Sequence, residues 1–117
     1  MTSELYNFYP VADTASLAPG AGRTVFLRGR DFALFHLDGA FHAIDNECPH
    51  RGGPLGAGTL DRGHVHCPLH GWAFDPKTGE CATKLGCAIK TYPTRVENGE
   101  VFLCPSPISI PISVTNL

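Results

Sequence analysis

At 117 residues and a net charge of −2, the chain is sized for one domain and holds too little charge to attract nucleic acid. No basic cluster is present, and no apolar run approaches the ~20 residues that a membrane-spanning helix needs. Residues 1–6 lack both a basic start and an apolar core, so no export signal is visible and a cytoplasmic location is expected.

The chain reads as short apolar runs broken by turn residues, with no amphipathic helical stretch of any length. Residues 5–11 predict a first strand, and 13–22, which contain Pro19-Gly20, a turn-rich connection. Residues 24–27 and 32–37 predict strands on either side of Arg28-Gly29-Arg30. Asp38-Gly39 is a tight hairpin signal, since both positions accept positive φ, and 40–45 return as the next strand. Residues 64–66 form a short strand, and 73–74 lead into a turn at 75–79. Residues 89–97 and 100–104 pair across Asn98-Gly99, the strongest hairpin dipeptide of the chain. The expected fold is all-β and antiparallel. In the tail, 105–117, Ile108, Ile110, Ile112 and Val114 alternate with Ser109, Pro111 and Ser113. That period of two predicts an edge strand, packed back on the domain or meeting a partner or second copy in weak self-association.

Two short blocks carry the chemistry: Cys48-Pro49-His50 and Cys67-Pro68-Leu69-His70. Each offers one thiolate and one imidazole, and each sits in turn chemistry, with Gly52, Gly53 and Pro54 after the first and Gly71 after the second. Two Cys and two His can hold one tetrahedral zinc. They can also hold a two-iron, two-sulfide cluster in which His replaces Cys on one iron. A zinc finger groups its cysteines as one pair and its histidines as another. Here each block is mixed, which favours two facing loops, each giving one ligand to each iron. A zinc-stabilised interaction module remains the competing reading.

The stretch Asn46-Glu47-Cys48-Pro49-His50-Arg51-Gly52-Gly53-Pro54-Leu55 resembles the first cluster loop of Rieske proteins. Cys67-Pro68-Leu69-His70-Gly71-Trp72-Ala73-Phe74-Asp75, followed by Thr78-Gly79, resembles the second. Tyr92-Pro93 and Gly99-Glu100-Val101 are similar to the closing strands of that family, so the resemblance covers about 6–104. It implies a Rieske iron-sulfur fold, in which antiparallel sheets carry a small two-loop cluster-binding subdomain. The domain would span 1–104, with cluster loops at about 46–59 and 66–75, and 105–117 would be an extended tail. One Rieske 2Fe-2S cluster is implied, with Cys48 and Cys67 on the inner iron and His50 and His70 on the outer one.

The high-potential Rieske proteins of respiratory membranes carry one extra cysteine in each loop, joined as a disulfide; the matching positions here are Gly53 and Leu69. Those proteins also place serine and tyrosine hydroxyls against the cluster sulfurs, at positions matching Trp72 and Phe74. Fewer donors leave a reduced, more negative cluster less stabilised, which predicts a potential low in the Rieske window of roughly −150 to +300 mV.

The two blocks also resemble the N-terminal domain of aromatic-ring oxygenases, whose separate mononuclear iron needs a further domain that 117 residues leave no room for. The implied function is that of a Rieske-type ferredoxin with no catalytic residues of its own. It would carry single electrons from a flavin- or NAD(P)H-dependent reductase to a terminal oxygenase or other redox acceptor. The small subunit of an NAD(P)H nitrite reductase is the alternative within the family.

The other notable side chains read as structural. Cys81, Cys87 and Cys104 are expected to be reduced, partly buried thiols. His36, His42, His64 and His66 are expected to be ordinary strand side chains, Arg51 either a solvated loop charge or part of a docking surface, and Trp72 packing beneath the second loop. Gly52, Gly53, Gly56 and Gly71 are expected to let backbone N–H groups approach the sulfurs, which lowers the cost of reduction. Leu69, Pro68 and Pro54 are expected to form an apolar rim for brief docking.

Overall fold

The computed structural model describes residues 7–49, 52–69, 71–83 and 87–108. In chain order its strands are β1 (Tyr9–Asp13), β2 (Gly22–Leu27), β3 (Arg30–Leu37), β4 (Ala40–Asp45) and β5 (Thr59–Asp61). They continue with β6 (His64–His66), β7 (Ala73–Phe74), β8 (Thr91–Tyr92), β9 (Thr94–Glu97) and β10 (Glu100–Leu103). Three sheets result, ordered β1-β10-β9, β2-β3-β4-β8 and β5-β6-β7, and every pairing is antiparallel. The fold is all-β, as the sequence predicts.

The run Phe32-Ala33-Leu34-Phe35 on β3 explains the layering. All four residues are fully buried, so β3 is covered on both faces. Side chains alternate across a strand. Phe32 and Leu34 accordingly join one core with Val25, Tyr92, Val101 and Leu103. Ala33 and Phe35 join the other with Ile44, Leu55, Val65 and Phe74. The four-stranded sheet is thus the middle layer. Cys48 and Cys67 belong to the second core, against its far face.

Four hairpins close on two-residue turns of one kind: Arg28-Gly29, Asp38-Gly39, Arg62-Gly63 and Asn98-Gly99, with φ of 50/80°, 53/80°, 53/83° and 48/80°. Positive φ at both central positions is the type I′ geometry, whose twist matches the flanking strands. Two of these were legible as Asp-Gly and Asn-Gly. The Arg-Gly turn at 62–63 was not, and β5 was missed with it.

Elsewhere the boundaries move. The strand expected over 5–11 is β1 at Tyr9–Asp13, because Ala12 and Asp13 pair with Val101 and Glu100 beyond a bulge after Pro10. The run expected over 89–97 is split at Pro93 into β8 and β9. Proline donates no ladder hydrogen bond, and here the chain passes from the middle sheet, where β8 pairs β4, to the outer one, where β9 pairs β10. Of the alternating tail only Ile108 is described; it is about half exposed, and its N–H donates to the Thr91 carbonyl at 2.9 Å. The remainder lies outside the described residues.

Candidate metal centre

The first cysteine block leaves β4, and the second joins β6 to β7. Each is the loop of a small hairpin, with Glu47 bridging Pro54 in the first and His66 paired with Ala73 in the second. The backbone hydrogen bonds are the same in both. Cys48 N–H donates to the Gly53 carbonyl at 2.9 Å, and Cys67 N–H to the Trp72 carbonyl at 2.8 Å. Gly52 N–H donates back to the Cys48 carbonyl at 2.7 Å, and Gly71 N–H to the Cys67 carbonyl at 3.0 Å. Gly52 and Gly71 both hold φ near 75°, in the left-handed region that L side chains avoid.

The N–H groups of Gly52 and Gly71 bond to cysteine carbonyls, and that of Gly56 to Asn46 Oδ1 at 2.8 Å. Gly53 and Gly56 permit close packing. A Cβ on Gly53 would lie 2.8 Å from Cys67 Sγ and 2.9 Å from Leu69 Cγ, and one on Gly56 would lie 2.3 Å from Thr24 Oγ1. The Gly53 contact joins the two hairpins: Leu69 and the Cys67 sulfur of one lie against the backbone of the other.

Cys48 is 1% exposed and Cys67 4% exposed. Leu69 on the outer side is 52% exposed, with Pro54 and Pro68 also exposed, as the expected apolar rim requires. Trp72 packs half-buried against the core that holds both cysteines. His50, His70 and Arg51 lie outside the described residues. Two of the remaining histidines have local partners: His36 Nδ1 lies 2.8 Å from the Leu17 carbonyl and its ring stacks on Phe41. His64 Nδ1 lies 3.3 Å from the Arg62 carbonyl.

Two groups that the sequence did not single out hold the stem of the first hairpin. Asn46 Oδ1 accepts from Thr24 Oγ1 at 3.0 Å as well as from Gly56 N–H, and its carbonyl accepts from Leu55 N–H. Asp45 accepts from the Tyr92 hydroxyl, to which Arg30 Nη2 donates at 2.8 Å. Burial first, then the bond to the Asp45 carboxylate, pushes the Tyr92 phenol up to about 12. A cleft of about 820 Å³ runs beside this stem, lined by Arg30, Asp31, Asp45, Glu47, Cys48 and Pro54. Among the described residues its lining carries three carboxylates against one guanidinium, an acidic balance.

Two buried sulfurs at the base of paired turns, one seated on a glycine that leaves no room for a methyl, are a donor set suited to an iron-thiolate site. A model of the Rieske [2Fe-2S] domain matches residues 7–93. The chain belongs to the Rieske [2Fe-2S] family. It is 39% identical over 80 residues to the ferredoxin component of the naphthalene 1,2-dioxygenase/salicylate 5-hydroxylase systems of Ralstonia sp., covering 68% of this chain and 77% of that one. It superposes on a chain of the carbazole 1,9a-dioxygenase oxygenase–ferredoxin complex with a TM-score of 0.81 at 28% identity, covering 87% and 96%. A Mycobacterium tuberculosis protein described as an NADH-dependent nitrite reductase small subunit gives 0.76 at 31% identity, covering 84% and 94%. Of a longer relative, the 4beta-methylsterol monooxygenase of Methylococcus capsulatus, the chain spans 30%. Within the family it is a Rieske ferredoxin, an electron-transfer protein with an iron-sulfur cofactor. No helix among the described residues is long and apolar enough to cross a membrane.

Proposed function

We propose that this Rieske ferredoxin holds one 2Fe-2S cluster through Cys48 and Cys67 on the inner iron and His50 and His70 on the outer. It takes electrons from a flavin- or NAD(P)H-dependent reductase and passes them to a terminal oxygenase, in the cytoplasm. The observation that carries the reading is the paired cysteine hairpins, with both sulfurs buried in one core. When bound, the cluster supplies a one-electron couple. The chain's own residues seat it, keep water from the cysteine sulfurs and present the loop tips to a partner.

A low potential is part of the proposal. Phe74 is fully buried and has no hydroxyl, and Gly53 and Leu69 oppose each other without any sulfur to join. Docking through the Leu69 rim, with the acidic cleft beside Cys48 facing basic side chains of the partner, suits a small and quickly released contact. The nitrite reductase subunit remains the second reading, supported by the Mycobacterium tuberculosis superposition.

Iron and acid-labile sulfide analysis tests the cofactor, with about two of each expected per chain. One zinc and no sulfide would overturn it, and Cys67→Ser should abolish the iron. Phe74→Tyr should raise the midpoint potential. Leu69→Asp should slow electron delivery to a naphthalene-type oxygenase while the visible spectrum stays unchanged; an unchanged rate would move docking elsewhere.

A further inference from the structure

Beyond β7 the ladder continues through two short segments that carry Cys81 and Cys87. Phe74 bridges Cys81, and Glu80 bridges Ala88. Ile89 N–H donates to the Gly79 carbonyl at 2.8 Å, and Cys81 N–H to the Cys87 carbonyl at 3.1 Å. That register sets Cys81 directly opposite Cys87 in a hydrogen-bonded antiparallel pair. Such residues share a face, with Cα atoms about 5.5 Å apart. A disulfide spans roughly 4.4–6.8 Å between Cα atoms.

Both side chains are half-buried, and both pack against the core under the cysteine hairpins. Cys81 Sγ lies 3.4 Å from Thr83 Oγ1, and that oxygen accepts from Ala73 N–H at 3.2 Å. Either the thiol or the hydroxyl can donate in that contact, but a deprotonated Cys81 sulfur can only accept, and the Thr83 hydroxyl is then the donor. A donated hydrogen bond stabilises negative charge on sulfur, the nucleophilic form.

We propose that Cys81 and Cys87 are a peroxide-responsive dithiol, Cys81 the attacking sulfur, Cys87 the resolving one and Thr83 a positioning residue. Cys81 sulfur attacks a hydroperoxide oxygen and the O–O bond breaks. Cys81 becomes a sulfenic acid, and the leaving oxygen takes the thiol proton to depart as water or alcohol. Cys87 sulfur then attacks Cys81 sulfur and expels the hydroxyl, which takes the Cys87 proton and leaves as water. The two thiols lose two electrons together, and one hydroperoxide is reduced by two. The product ties the strand beside β7, and so the stem of the second cysteine hairpin, to its outer neighbour. The pair is independent of which partner the ferredoxin serves.

The test treats reduced holoprotein with hydrogen peroxide while its visible absorption is followed, then unfolds, alkylates and digests it with trypsin. Lys84 lies between the two cysteines, so a disulfide keeps two tryptic peptides joined. Wild type should yield the joined pair, lighter by two hydrogens, with at least a tenfold loss of alkylation at both sites. Cys87→Ser should carry a dimedone-trapped sulfenic acid at Cys81, and Thr83→Val should close the pair several-fold more slowly. Alkylation of both sites as in untreated protein overturns the proposal, as does linkage of Cys81 to Cys104 or to a second chain. Bleaching of the cluster before either thiol is lost also overturns it, because the pair is then not what peroxide reaches first. An unchanged closing rate in Thr83→Val overturns the role given to that hydroxyl.

Discussion

In the first cysteine hairpin the Cys48 N–H reaches a carbonyl five residues on, and in the second the Cys67 N–H does the same. In each, the glycine four residues on bonds back to the cysteine carbonyl. The histidine stands two residues after cysteine in one block and three in the other, yet the turns match. Hairpin register and a left-handed glycine set the frame, so the histidine spacing varies inside a constant turn. What differs is the filling. Five residues after cysteine the first hairpin has Gly53 and the second has Trp72, because the first must receive Cys67 Sγ and Leu69 while the second packs on the core.

The largest expected effect breaks the hairpins apart at that contact. Gly53→Ala places a carbon 2.8 Å from Cys67 Sγ, so either the sulfur or the loop must move. Overpacking of this kind costs about 1–3 kcal/mol. It should also lower bound iron per chain severely, as read by metal analysis. Full iron at wild-type stability would show that the hairpins do not rely on this close approach.

A smaller effect tests whether the shared turn is the same in energy. Gly52→Ala and Gly71→Ala each force a methyl into left-handed backbone, at about 1–2 kcal/mol. At Gly71 no atom of the described residues lies within 4 Å of the added carbon, whereas at Gly52 it would meet Glu47 Oε2 at 3.2 Å. Denaturant unfolding should therefore show Gly52→Ala to be equally or more destabilised, never less. A larger loss at Gly71 would mean that the frames are not equivalent.

The stems also differ, polar under the first hairpin and apolar under the second. Asp45, Asn46 and Tyr92 hold the first by hydrogen bonds, while Val65 and Phe74, both fully buried, hold the second. This contrast governs what the sequence could disclose. Val65 stood in a segment that read as a short strand, and Phe74 stood just before a legible turn. The Asn46 and Tyr92 partners lie far along the chain, and no local pattern marks such pairings. The cysteine blocks stood out because their spacing is local in the chain. The Cys81–Cys87 apposition was not, since it depends on a register fixed by β7. Pro93 was visible as a residue, but its transfer of the chain between sheets follows from which strand needs a partner.

Titration should reach the polar stem only. Tyr92 has its phenol raised from 10.0 to about 12, so folding favours its protonated form. The stability this supplies is fully present below pH 10 and is lost as the pH rises through 12. Tyr92→Phe removes two part-buried hydrogen bonds, one donated to Asp45 and one accepted from Arg30, at about 1 kcal/mol each. Its difference from wild type in thermal unfolding should shrink between pH 10 and 12. A difference constant across that window would separate Asp45 from the phenol's titration.

The smallest effect lies where β4, which feeds the first hairpin, meets the turn that follows the second. His42 on β4 is half-buried, and burial first, then the Lys77 ammonium, lowers its imidazole below the ordinary 6.5; Asp75 and Asp38 oppose that shift. A lowered folded value means that the unfolded chain binds the proton more readily. Stability is then whole above pH 6.5 and falls as the pH drops from 6.5 through the lowered value. Lys77 also bonds Asp38 at 2.6 Å, but both side chains are exposed and that pair should contribute little in salt. His42→Gln should flatten the acid side of the stability profile below pH 6.5, and raising the ionic strength should leave most of the wild-type slope in place. A slope abolished by salt would transfer the effect from burial to the Lys77 charge, leaving the junction of the two hairpins without a titrating group of its own.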